Sequence, residues 1–583
     1  MIKTYTFMLF LLLTIGLKAQ SICKIDSTVK KKIDSTYNAL IKESKVKGLS
    51  LAIVENGEIV YAQGYGFADL ENKIPATSTS IYRIGSITKS FTALSIMQLQ
   101  TEGKLSVNDE LKQHLPEFSI GFQNKQINPI YLRQVLAHTS GLPSDIMNGF
   151  FTENPPTVDW TIAQANKMKM SYPNGYSHSY SNLGYALLGE VVKRKSNLDY
   201  ETYVQNNIFK PLGMNASFVC PTTVKKTPVS YFGKETINEP LIRDAPAGLI
   251  HSNVEDMSKY LLLYLNRGKF NNQQILDSLS ILEMEKNQTT DLTLADNSNF
   301  GFGLYSNSYY LKTGKDSSLV NVIGHGGDTY SFHADMKYIP ELGIGVVVLT
   351  NSSGGNRINS GQKLLKTYLK AKNESSLVLN SPKEIPKIEA SFEKGKYCIT
   401  NFVFDVENEE KLKFKQGPAK IVAQKHEAGY YTMKAFIFGF IPFKIKDQSL
   451  FFEKLSGKTY IKGIDLKTNT SEYIGYKITE TSISQSWKNA FGKYKVNNAI
   501  PCEECDKMGV DFKNLTLNVS EKDGLLYFSL GGKGVGIGDN CFAFCESEKC
   551  AITIGIGRGN GETFQLQENG TIFWSGFEFT KEK

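Results

Sequence analysis

The sequence predicts an α/β domain over residues 24–372 followed by a mostly β region, and three observations carry that reading. Apolar runs lie at both ends of the first stretch, Leu51 to Val54 and Glu58 to Ala62 early and Gly343 to Thr350 late, and helical stripes lie between them. The termini of this region are therefore expected to share one sheet. Pro382, Lys383 and Pro386 mark a linker over 373–388. Beyond it short strands and turns replace helical periodicity, and Gly395-Lys396-Tyr397 recurs as Gly492-Lys493-Tyr494 after 97 residues. The ends match too, Gly475-Tyr476-Lys477-Ile478-Thr479 against Gly576-Phe577-Glu578-Phe579-Thr580, so two β-rich units are expected at 389–484 and 485–583.

In chain order, Lys3, the apolar run Phe7 to Ile15 and Ala19 before Gln20 read as a signal peptide over 1–19. The run is too short for a membrane helix, and Ile22 before Cys23 does not fit a lipid-attachment site, so an exported, unanchored protein is expected, periplasmic or extracellular. Helices are predicted at Ser27 to Ser44, Lys89 to Glu102, Leu132 to His138, Asn182 to Lys195 and Asn253 to Asn266. Asn56-Gly57 between two apolar runs is a hairpin signal.

With 583 residues, 41% hydrophobic and 21% charged, the chain is a globular protein of two or three domains. Losing residues 1–19 removes Lys3 and Lys18 and no acid, leaving a formal charge of +6. Spread over this length, that excludes a dedicated nucleic-acid binder. Five of the eight cysteines, 502, 505, 541, 545 and 550, crowd the last unit. Their spacing is unlike a common zinc module, and export favours disulfides or buried thiols of unassigned pairing. Gly531 to Gly538 and Gly555 to Gly561 open no helix, so they read as glycine in turns rather than as phosphate loops.

Chemistry concentrates in the first domain. Ser-x-x-Lys begins at Ser21, Ser27, Ser44, Ser86, Ser360 and Ser391, and context separates them. Ser86 alone stands at the mouth of a buried helix, whose stripe is Phe91, Leu94, Ile96, Met97 and Leu99. One helical turn sets Lys89 beside the Ser86 hydroxyl. Tyr180-Ser181-Asn182 follows 94 residues later, at the edge of a polar loop and the start of an inward-packing helix. A free phenol titrates near ~10; beside a Lys89 ammonium its phenolate is favoured, and Tyr180 becomes a candidate base. His325-Gly326-Gly327 lies between two extended stretches, Val320 to Ile323 and Ser331 to Ile339. Its glycines allow close approach of a substrate, and the Asp328 N–H is placed to pair with that of Ser86 as an oxyanion hole.

These motifs, together with Leu136-Ala-His138-Thr-Ser140-Gly-Leu142-Pro143, Ala245-Pro-Ala247-Gly-Leu249-Ile250 and Phe300-Gly-Phe302-Gly-Leu304, resemble the serine β-lactamase and penicillin-binding protein superfamily over about residues 30–370. Within it the chain resembles the broad group of class C-related serine hydrolases. The resemblance implies a β-lactamase-like fold, an antiparallel sheet flanked by helices with a helical lobe, and acyl-enzyme chemistry without metal or cofactor. Ser86 would be the nucleophile, Lys89 and Tyr180 the acid/base pair, and Asn182 the group orienting the substrate amide. Asn182, His325, Gly327 and Asp328 would line the substrate site, while His138 would be structural. D-Aminopeptidases of the superfamily carry β-barrels after the catalytic domain, similar to two barrel-like units here.

Penicillin-recognising members carry Lys-Thr-Gly as their third motif. Lys312-Thr313-Gly314 occurs here but runs into Lys315, Asp316 and Ser317, which reads as a hairpin turn, so His325-Gly326-Gly327 takes that place. A histidine is mostly neutral at pH 7 and holds a carboxylate less firmly than lysine, so an ester or a D-amino-acid amide stands at least equal to a β-lactam as the expected substrate, and the sequence does not choose among them. An exported serine hydrolase acting on a small molecule or a cell-wall-derived peptide is the leading reading. A catalytically inactive β-lactamase-fold binding or assembly protein is the alternative. No Gly-x-Ser-x-Gly elbow and no His-Glu-x-x-His occur, which sets aside α/β-hydrolase and zinc-peptidase readings. The C-terminal units read as a scaffold or lid without chemistry.

Overall fold

Asn56 and Gly57 both take positive φ, 50° and 84°, and close the hairpin between strands β1 (Gly48–Glu55) and β2 (Glu58–Asp69). The structure, a computed structural model, describes residues 22–43, 46–122, 128–219, 229–233, 235–295, 299–353, 360–379, 393–399, 402–416, 419–437, 441–468, 470–479, 482–532 and 540–583. The leader expected over 1–19 lies outside these residues, as do most of the expected linker and most of the Gly531 to Gly538 run.

Along β1 the side chains alternate between two cores. Leu49, Leu51 and Ile53 face helices α1 (Ser27–Glu43) and α5 (Ser360–Asn373), whereas Ala52 and Val54 face the opposite cluster. With both faces covered, β1 is apolar nearly throughout and its residues Gly48 to Val54 are all buried. Beside β1 runs β6 (Ile344–Thr350), then β5 (His333–Ile339), β4 (Asp316–Asp328) and β3 (Tyr305–Thr313), all antiparallel. The two ends of the domain thus share one sheet. Its far edge is β7 (Ser376–Leu379), which pairs with β3, so the sheet extends into the stretch expected to be linker.

On the face opposite α1 and α5 lies a helical lobe with α2 (Thr88–Thr101), α3 (Asn182–Ser196) and α4 (Val254–Leu265). Every residue of α2 from Thr88 to Leu99 is buried, so this helix is enclosed on all sides, polar residues included, and forms the centre of the domain. Burial of Phe91, Leu94, Ile96, Met97 and Leu99 contributes roughly 1.5–3 kcal/mol per side chain before entropy is charged. The Ser86 turn is anchored to that mass.

The C-terminal region is almost entirely β. Strands from Gly395 to Lys477 form an eight-stranded sheet whose end strands, Phe402–Val406 and Lys411–Gln416, lie side by side and nearly close it. Strands from Gly492 to Lys581 form a closed barrel around Trp487, Phe528, Phe564 and Phe577. The barrel sits on the helical lobe. Asn148 donates to the carbonyls of Asn498 (3.1 Å) and Gly576 (2.9 Å) and accepts from the Ile500 N–H (2.8 Å). Cys502 and Cys505 form a disulfide beside Glu153, whose carboxylate accepts from the Glu503 and Glu504 N–H groups. Among the described residues Cys23, Cys398, Cys541, Cys545 and Cys550 are free thiols, and no group of side chains is arranged to hold a metal. No described helix is long and apolar enough to cross a membrane.

Candidate active site

Ser86 sits in a single 3-10 turn, Gly85–Ile87, that runs directly into α2. The end of β4 packs backbone to backbone against this turn, and only glycines permit the approach. A Cβ on Gly327 would lie 1.9 Å from the Ile84 carbonyl oxygen and 3.0 Å from the Ser86 nitrogen. On the other side Gly85 has φ 51°, and a Cβ there would lie 2.7 Å from the Asp328 nitrogen. The main-chain nitrogens of Ser86 and Asp328 therefore flank one small patch at the helix start.

Lys89 is fully buried one turn further on. Its Nζ lies 3.2 Å from Ser86 Oγ, 2.6 Å from Asn182 Oδ1 and 2.7 Å from the Ala247 carbonyl oxygen. Burial pushes its pKa well below the ordinary lysine value, with the nearby Arg558 cation acting in the same direction. Asn182 opens α3, behind an N-cap in which Ser181 Oγ accepts from the Gly184 N–H at 2.9 Å. Its Nδ2 donates to Asp145 Oδ1 at 2.7 Å, which turns Oδ1 toward the lysine. His138 accepts from the Ser181 N–H at 3.1 Å and supports the same corner.

Tyr180 stands where the spacing placed it, its ring centroid 4.7 Å from Lys89 Nζ. The electrostatics differ from the sequence expectation of a phenolate. Burial drives the phenol far above its ordinary pKa, with the Ser86 hydroxyl beside it opposing the shift in part. With Lys89 shifted down and Tyr180 shifted up, burial favours the uncharged form of both groups, because a protein interior penalises whichever form carries charge. His325 is likewise held neutral, its pKa lowered to about 3 by burial and by Lys89, while Nδ1 faces the Gly326 carbonyl. Asp328 turns its carboxylate outward to His333 at 2.5 Å. Lys312 ends β3 at a hairpin in which Thr313 pairs with Asp316, so the cavity wall contains His325 and no part of Lys312-Thr313-Gly314.

Ser86, Tyr180, Asn182, His325 and Asp328 line a cavity of about 630 Å³. Phe150, Phe151 and Tyr330 add aromatic rings to the cavity lining. Arg558, which the sequence reading passed over, is the unexpected member. It comes from the C-terminal barrel, inside the glycine-rich stretch read only as turns, and its Nη2 donates to Asp145 Oδ2 at 3.0 Å. Its guanidinium carbon lies 5.2 Å from the Tyr180 ring centroid. The barrel is thus part of the cavity wall rather than a remote scaffold. The available signal was an arginine in the midst of four glycines, 555, 557, 559 and 561.

A family model described as Beta-lactamase matches residues 33–366, more than half of the chain. The chain belongs to the β-lactamase family. Among curated relatives of this family chain, Protein flp of Staphylococcus aureus (strain N315) is 28% identical over 340 residues, covering 56% of this chain and 64% of that protein. Beta-lactamase-like protein 2 of Dictyostelium discoideum is 31% identical over 335 residues, covering 54% of this chain and 58% of that protein. The match thus spans about three fifths of each relative's length. A crystal structure of SurE with D-Leu shares the fold at TM-score 0.55 and 18% identity, covering 77% of this chain and all of that one.

Proposed function

We propose that the protein is an exported serine hydrolase that cleaves an ester or amide through an acyl-enzyme on Ser86. The observation that carries this reading is the coordination of Lys89. An uncharged amine has two N–H bonds and one lone pair, and two carbonyl oxygens, Asn182 Oδ1 and Ala247 O, lie within 2.7 Å of Nζ to take the two protons. The lone pair is then left for the third neighbour, the Ser86 hydroxyl at 3.2 Å. Burial, by favouring the uncharged amine, makes it a base for that proton.

As Ser86 Oγ attacks the acyl carbon, its proton passes to Lys89, and negative charge grows on the substrate oxygen beside the Ser86 and Asp328 nitrogens. In this reading the neutral Tyr180 phenol, whose ring faces Lys89 Nζ at 4.7 Å, hands a proton to the leaving group and the Lys89 ammonium returns one. Water then releases the acyl group by the reverse route. Neutral His325 supplies no cation for a carboxylate at the third-motif position, which argues against a β-lactam as the natural substrate. The aromatic rings of Phe150, Phe151 and Tyr330 in the lining favour an acyl donor with a hydrophobic group.

Intact mass after exposure to a fluorophosphonate tests this reading. One adduct is expected on the wild type and none on a folded Ser86→Ala variant, with turnover of ester or D-aminoacyl amide substrates lost at least about a thousandfold. A folded wild type that takes no adduct overturns it in favour of a non-catalytic binding role.

A further inference from the structure

Arg558 reaches the cavity through a loop that is fastened at three places. The Gly559 N–H donates to Ser144 Oγ at 2.9 Å, the Tyr172 hydroxyl donates to the carbonyls of Gly555 and Gly557 at 3.3 Å each, and a Cβ on Gly561 would lie 2.6 Å from the Ser171 carbonyl oxygen. From there an unbroken polar chain runs to the nucleophile. Arg558 Nη2 binds Asp145 Oδ2, Asp145 Oδ1 binds Asn182 Nδ2, Asn182 Oδ1 binds Lys89 Nζ, and Nζ meets Ser86 Oγ. Each link sets the orientation of the next. An amide whose Nδ2 is claimed by Asp145 has only its oxygen to present to Lys89.

We propose that Arg558 is a positioning residue for the Ser86–Lys89 pair, and that docking of the C-terminal barrel completes the site through Arg558, Asp145 and Asn182. The proposal rests on the acyl-enzyme reading and adds to it a component delivered 472 residues after the nucleophile.

The charges that face Lys89 make the role testable. Tyr180, Tyr185, His138 and His325 surround it and are held neutral by burial. Asp244 is engaged by Arg243 in two hydrogen bonds of 2.8 and 2.9 Å. Arg558 and Asp145 act on Lys89 with opposite sign, the cation disfavouring a second positive charge and the carboxylate favouring it. Glu562, buried in the same loop, faces Asp145 and Arg558.

The experiment measures the fluorophosphonate labelling rate of the full-length protein against pH for wild type, Arg558→Met, Arg558→Lys and Asp145→Asn, with circular dichroism as a check on folding. Without the Arg558 cation Lys89 holds its proton to higher pH, so the acid limb of Arg558→Met moves up by about one unit and the rate below it falls about tenfold. Arg558→Lys keeps the charge and restores the limb to within about half a unit of wild type. Asp145→Asn moves the limb down instead, while loss of the Asn182 anchor lowers the plateau. A rate lost equally at every pH with an unmoved limb, or Arg558→Lys behaving as Arg558→Met, overturns the proposal while leaving the acyl-enzyme intact. An unlabelled wild type overturns both.

Discussion

Gly327 shows how much of this site depends on a missing atom. Any side chain there collides with the Ile84 carbonyl and pushes β4 off the nucleophile's turn. Gly327→Ala is therefore expected to lower the labelling rate about a hundredfold or more, the usual consequence of losing an oxyanion donor, while secondary structure is retained. Full labelling of that variant would remove the Asp328 N–H from the mechanism. Glu562 gives a second check, on stability. Burial and the nearby Asp145 raise its carboxyl to about 7, so between about pH 4.5 and 7 the folded protein keeps a proton that the unfolded chain releases. Stability is then lost as pH rises through that window, and Glu562→Gln is expected to lose less. Melting curves at both ends of the window measure the difference, and parallel curves would reject the shifted carboxyl. Ser86, Lys89, Tyr180, Asn182 and His325 were all legible in the sequence, because each sits in a short motif on a recognisable element. Their charge states were not. The phenolate expected at Tyr180 follows from a neighbouring ammonium in water, and only the fold reveals that both groups are buried.

Helix α2 is where local pattern and tertiary packing agree most fully. Its stripe was readable as a helix start behind Ser86, and the structure surrounds it on all sides. Leu94→Ala is expected to cost roughly 2–5 kcal/mol, the range for a buried leucine whose cavity does not collapse, and to show as a lower denaturation midpoint with an unchanged denaturant slope. A cost below about 1 kcal/mol would mean that the lobe repacks freely around the nucleophile's helix. The sheet was legible in outline, with its first and last strands adjacent as expected, yet β2 runs to Asp69, past Ala62. Its later residues, Gln63, Gly64, Tyr65 and Gly66, mix polar, glycine and aromatic character, and pairing with β1 rather than periodicity keeps them extended. In the same way β7 exists because β3 offers it an edge, which no pattern in Ser376–Leu379 announces.

Between the N-terminal domain and the barrel the joint carries a polar network beside apolar contacts of Met147, Phe151, Tyr330 and Phe573. Asn148, 1% exposed, contributes three of its hydrogen bonds, and Ser575 adds a donor to the Asp145 carbonyl and an acceptor for the Met147 N–H. At ~1 kcal/mol per bond, Asn148→Ala is expected to loosen the joint by about 2–3 kcal/mol. Calorimetry then shows the barrel melting apart from the catalytic domain, with labelling slowed in proportion; a single unchanged transition would mean that other contacts carry the docking. This joint is also why Arg558 escaped the sequence. Its partner Asp145 is 413 residues away, and no local pattern reports a pairing over that distance. The separation bears on how the protein is made. At 5–20 residues per second, a ribosome completes Ser86 and then needs roughly 25–95 s to reach Arg558. During that interval the growing chain carries Ser86 and most of its cavity wall, while Arg558, the barrel's contribution, has not been synthesised. Pulse-labelling of nascent chains is expected to register slower reaction with the probe in polypeptides that stop short of Arg558 than in those that have passed the end of the barrel.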